Sequence, residues 1–117
     1  MKPLTLLAIL ALLLPATAWS NSGAWITGSE LLTACEDKRD TYKQGLCVGY
    51  IIGAADSTTI WELWQDISSN ICISSDIEIG DVVDSTVKHL QSNQRDLNFD
   101  ASSLVLNALI RNYPCEE

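Results

Sequence analysis

Four cysteines, Cys35, Cys47, Cys72 and Cys115, constrain this chain more than any other feature. Their number is even and none forms a C-x-x-C pair. Only one histidine, His89, is present to complete a mixed site, so two disulfides explain the cysteines better than a metal does. An even count also leaves no cysteine over for a catalytic thiol. Disulfides persist in oxidising compartments, and the chain begins with a segment suited to reaching one. Met1-Lys2 is a positive start, Leu4 to Leu14 is apolar apart from Thr5, and Pro15 breaks the run. Ala16-Thr17-Ala18 then has the small-x-small pattern of a signal-peptidase site, with Ala18-Trp19-Ser20 as a second one. A spanning helix takes about 20 apolar residues, and this run is nearer half that. Residues 1–18 are therefore read as a cleaved signal peptide, with no membrane insertion once it is removed.

Removing 18 residues from 117 leaves a single domain, 19–117, of 99 residues. A chain of this size buries about 60–65% of its unfolded surface, so its core is modest. With Lys2 gone, six basic side chains stand against fifteen acidic ones, a net charge of −9. Phosphate repels such a chain, which argues against nucleic acid and anionic membrane surfaces as partners. A basic protein partner suits it, although the charge also serves solubility alone. No block of like charges, low-complexity stretch or internal repeat occurs.

The apolar spacing predicts an all-α bundle of four to five helices. After a short tail carrying Trp25, a first helix starts at Gly28-Ser29 with Ser29 as its N-cap, and Leu31, Leu32 and Cys35 form its apolar stripe. The charged run Glu36 to Lys43 reads as a solvated loop. A second helix is expected from about Gln44 to about Ser68, roughly 37 Å at 1.5 Å per residue. Leu46 to Ala55 has almost no polar side chain, so this helix is expected at the centre of the domain, apolar nearly all round. Its second half, with Trp61, Glu62, Leu63, Trp64 and Asp66, turns amphipathic. Cys72 to Ile79 is a connection. A third helix covers about Gly80 to Gln91, and a fourth starts after Asp100 and stops at Pro114. Val48, Ile51, Ile52, Val82 and Val83 favour strands by propensity, but a period near 3.6 and the missing strand turns outweigh that.

Geometry then narrows the cysteine pairing. Cys47 and Cys72 lie at opposite ends of the second helix, and bonded cysteines have Cα atoms about 4.4–6.8 Å apart. In an up-down bundle the fourth helix brings the chain end to the level of Cys72, while Cys35 lies one loop before Cys47. The expected pairs are Cys35–Cys47 and Cys72–Cys115.

Few residues point to chemistry. Gly45, Gly49 and Gly53 recur at four-residue steps on one helix face. Glycine within a helix costs about 0.5–1 kcal/mol against alanine, so three imply the close approach of another backbone. Packing inside the bundle is the first reading, and a dimer seam the second. Asp56 is read as a paired structural acid before a catalytic one, and His89 as an ordinary surface histidine. No nucleophile elbow, phosphate loop or dinucleotide motif occurs. Trp61 and Trp64 share a face. Trp61 is assigned to the core, whereas Trp64, with Glu62 and Asp66, is a candidate partner-binding anchor, since Trp is enriched at interface hot spots. Nothing builds an active site, a metal site or a cofactor site, so the chain reads as a binding protein and not an enzyme.

Cys47-Val48-Gly49-Tyr50-Ile51-Ile52-Gly53-Ala54-Ala55-Asp56 resembles the core signature of the Rap/Tai immunity protein family of type VI secretion systems. Gly28-Ser29-Glu30-Leu31-Leu32 followed by Cys35 is similar to that family's first helix. Cys72-Ile73, Val82-Val83, Leu90, Ala101, Leu104-Val105, Ala108-Leu109 and Tyr113-Pro114-Cys115 continue the likeness over almost the whole mature chain. Ser74 stands where the family often has proline, and Ser92-Asn93-Gln94 where it often has His-Pro; both departures fall in connections. The resemblance implies an all-α periplasmic protein of a Gram-negative bacterium. Such a protein binds and blocks a peptidoglycan amidase delivered by neighbouring cells, and homodimers are known in the family. The competing expectations are an acid-stress periplasmic chaperone, also small, helical and acidic, and another small envelope binding protein without an immunity role.

Overall fold

Four α-helices account for the regular structure of the described residues, 25–116, in a computed structural model of the protein. The expected leader and both of its cut sites lie outside those residues. The helices are α1 (Gly28–Glu36), α2 (Thr41–Gln65), α3 (Ile79–Ser92) and α4 (Ala101–Asn112), with a 3₁₀ turn at Gln94–Asp96 before α4. Two isolated antiparallel bridges, Thr27 with Asp100 and Ile71 with Pro114, are the only β pairing among the described residues.

Local chemistry sets the helix ends. Thr27, and not Ser29, is the N-cap of α1. Its hydroxyl accepts from the Glu30 N–H while the Glu30 carboxylate accepts from the Thr27 N–H at 2.8 Å. This reciprocal pair is the capping box that a threonine three residues before a glutamate encodes. The arrangement holds the Glu30 carboxyl below its ordinary range, because the ionised form accepts the backbone bond. Asp40 ends the charged loop early by capping α2, accepting from the Tyr42 and Lys43 N–H groups at 3.0 and 3.2 Å. The helix therefore begins at Thr41, three residues before the expected start at Gln44. Gln44 reaches back from α2, its amide nitrogen 2.9–3.2 Å from the carbonyl oxygens of Ala34, Cys35 and Asp37. Those carbonyls end α1 and would otherwise be orphaned.

Both expected disulfides are present. Cys35–Cys47 joins the end of α1 to the start of α2, with Cα atoms 5.0 Å apart, and Cys72–Cys115 joins the segment after α2 to the chain end at 4.8 Å. Main-chain bonds reinforce the second, the Cys72 N–H donating to Tyr113 O at 2.8 Å. The core lies between them. Leu31, Cys35, Ile51, Leu90, Val105 and Leu109 are fully enclosed or nearly so.

The long helix is central in that it packs against α1, α3 and α4, but it is not enclosed all round. Cys47, Ile51 and Thr58 are its only buried residues. Its opposite face and every residue from Thr59 to Gln65 lie open, including Trp61, which the sequence assigned to the core. The reason is length. Twenty-five residues make a rod of about 37 Å, against about 21 Å for the fourteen of α3, so three shorter helices cover one side only and the last turns project.

At the start of α1 the backbone approaches the turn before α4 closely. The Gly28 and Ser29 N–H groups donate to Phe99 O and Leu97 O at 2.9 and 2.8 Å. A Cβ on Gly28 would meet the Leu104 side chain and lie 3.2 Å from the Leu97 carbonyl oxygen. Gly28→Ala should therefore destabilise the fold by about 1–3 kcal/mol, read as a lowered urea midpoint at unchanged m-value.

His89 is half-buried on α3. Burial and then the Arg111 charge push its imidazole below the ordinary value of 6.5, with Asp96 opposing. The folded state thus binds the proton less well than the unfolded chain does. Its contribution to stability is present above 6.5 and is lost as pH falls from there through the depressed value. His89→Gln should flatten that part of the profile, visible as a wild-type minus variant difference in unfolding temperature between about pH 7.5 and 5.

Candidate functional site

The exposed side of α2 is the candidate surface. Gly45, Gly49 and Gly53 lie along it at four-residue steps, and Leu46 and Val48 stand beside them half-exposed. Among the described residues, nothing beyond the adjacent residues and the helix's own backbone lies within 4 Å of a Cβ built on any of the three glycines. Close packing within the bundle, the first reading of these glycines, is thus not made. The covered face of α2 is the one bearing Cys47, Ile51 and Thr58, and the glycine stripe points the other way. From Gln44 to Ala55 this helix carries no charged side chain, so its open face there is neutral as well as small.

Beyond Ala55 the same helix becomes acidic and exposes larger apolar side chains. Trp64 is 80% exposed, Leu63 74% and Trp61 42%. Trp64, Glu62 and Asp66 all lie open at this projecting end. Asp66 ends the helix in a left-handed conformation (φ 52°), which aspartate tolerates better than most residues. Glu62 folds onto the next segment. Its carboxylate accepts from the Ser69 N–H at 3.1 Å and from the Ser69 hydroxyl, and those bonds hold its carboxyl below the ordinary range. It thereby pins the chain leaving α2 against the helix.

Between this segment and α2 lies a groove of about 440 Å³ that the sequence did not reveal. One wall is α2, with Ile52, Ala55, Asp56, Thr59 and Glu62. The other is the segment between α2 and α3, with Ile71, Ile73 and Ile77, completed by Ile79 and Val82 at the start of α3. Asp56 lies exposed on the groove wall and makes no ion pair among the described residues, so it is not the paired structural acid expected of it. The ion pairs among the described residues gather on Lys43, which lies 2.8 Å from Asp37 and 3.9 Å from Asp40. A sequence signal existed. Isoleucines at 71, 73, 77 and 79 are unusual for a solvated connection. The stretch 44–87 also holds seven acids and no Lys, Arg or His.

Chemically this surface offers apolar area and carboxylates. His89 lies on α3 outside the groove, and its carbonyl accepts from the Asn93 amide at 2.7 Å. Among the described residues no three His, Cys, Asp or Glu side chains are grouped to hold a metal, and no helix is long and apolar enough to cross a membrane.

No curated protein matches the chain significantly. The family described as Rap1a immunity proteins matches it over residues 27–115, which takes in all four helices and both disulfides. A match running from the capping threonine of α1 to the last cysteine covers the folded unit end to end, and the chain belongs to the Rap1a immunity protein family.

Proposed function

We propose that this protein is a periplasmic immunity protein that binds a type VI secretion effector, a peptidoglycan amidase, and blocks it by occupying its surface, with no catalysis of its own. The family match over residues 27–115 carries the reading. The leader at 1–18 and two disulfides that need an oxidising compartment support the location. The open end of α2 supports a binding role: Trp64 offers a large rigid apolar anchor, and Glu62 and Asp66 offer charge beside it. Co-expression with the amidase encoded beside its gene should yield a stable complex in which lysis of peptidoglycan is abolished. An amidase that stays free and active in the presence of excess protein would reject the reading. Trp64→Ala should weaken that complex by about 2 kcal/mol, the size of a hot-spot truncation, measured by calorimetry.

A second copy of the chain is the proposed cover for the glycine face of α2. A two-fold interface sets a patch against itself. In a chain this acidic, the neutral surface around Gly45, Gly49 and Gly53 is the part that can meet its own copy without repulsion. Gly49→Ala should raise the stability of the isolated chain by about 0.5–1 kcal/mol, since the added methyl meets open space. Gly49→Arg should abolish self-association. Sedimentation that finds a monomer at every concentration of the wild type removes the seam.

A further inference from the structure

We propose that the isoleucine-lined groove between α2, the 71–77 connection and the start of α3 is the docking site for a segment of the effector that pairs an apolar side chain with lysine or arginine. This rests on the immunity reading and names the surface and the chemistry through which it would act.

The groove has an apolar lining and an acidic rim. Ile52, Ile71, Ile73 and Ile77 line it, each partly buried against the core, so burying what remains of their surface is favourable. Thr58 adds little polarity, because its hydroxyl already donates to Ala55 O at 2.7 Å. On the rim Glu62 is engaged by Ser69, whereas Asp56 makes no ion pair among the described residues. An apolar side chain entering the groove would expel water from beside Asp56 and strengthen the attraction of a cation next to it.

Charge decides what the occupant is. The groove is built entirely from the stretch 44–87, which holds seven carboxylates and no cationic side chain, while the six cations of the mature chain all lie outside that stretch. A second copy meeting this face through a two-fold axis would set carboxylates against carboxylates. The neutral glycine face has no such barrier, so the two surfaces sort by charge, the groove toward a basic partner and the glycines toward a like chain. Ile79, 59% exposed at the groove's edge, extends the apolar area beyond the cavity and widens the footprint available to a protein segment.

The test uses the whole mature chain and the purified amidase encoded beside its gene. Thr59→Trp fills the groove from an exposed helical position, and Asp56→Lys reverses the rim charge. Glu36→Lys, on α1, makes the same change of charge outside the groove. Circular dichroism melts confirm that each variant is folded. Each groove variant should bind the amidase at least about tenfold more weakly, with Asp56→Lys also reducing the salt dependence of Kd, while Glu36→Lys leaves Kd within about twofold. Groove variants that bind like the wild type overturn the docking site and leave the immunity reading standing. A wild-type chain that neither binds nor inhibits the amidase removes both. Loss of self-association in Thr59→Trp, with amidase binding intact, would assign the groove to a second copy instead and equally overturn the proposal.

Discussion

The two ties at the ends of α2 hold the rest of the structure in place. Cys35–Cys47 fixes α1 to the second turn of the long helix, and Cys72–Cys115 fixes the end of the chain to the segment that leaves it. On the chain-entropy account each crosslink stabilises by roughly 3–4 kcal/mol, comparable with the whole net stability of a small domain. The polar bonds around them are of the same kind. Gln44 closes the carbonyls of α1 beside the first disulfide, and the Cys72 and Cys115 N–H groups pair with Tyr113 O and Asn70 O beside the second. With its ends tied, a helix too long for its neighbours can leave one face open without fraying.

Large apolar side chains stand exposed along that open face and just beyond its end. Trp61, Leu63, Trp64 and Ile67 would count as a fault in a chain that acts alone. They are reasonable in one that is covered by a partner. The surface is not uniform along the helix. Its first half is neutral and made of glycines, and its second half is acidic, aromatic and flanked by a groove. A single helix thus presents two chemically distinct faces at different heights, which suits two different neighbours.

Much of the fold was legible because its determinants are local. The helical periods of Leu31–Cys35, Val82–Leu90 and Leu104–Leu109 identify three buried stripes, and each is observed. The disulfide pairing followed from the length of one helix. The errors were of two kinds. Thr27 caps α1 in place of Ser29, and α2 starts inside the charged run, because Glu30 and Asp40 supply side-chain partners that an apolar pattern does not register. Trp61 and the glycines were placed inside because an apolar run reads alike whether its cover comes from the same chain or from another.

The sequence by itself determined the class of the protein: an acidic, all-α bundle of four to five helices with two disulfides, and a family likeness carried by Cys47 to Asp56. Each of these depends on residues near one another along the chain or on counts. Only the tertiary structure decided which face of α2 is covered. That depends on the relative lengths and directions of α1, α3 and α4, which no local pattern encodes. It also decided that Ile71, Ile73, Ile77 and Ile79 face Asp56 across a groove, where the Glu62–Ser69 bonds and the Cys72–Cys115 disulfide hold the connection beside the helix.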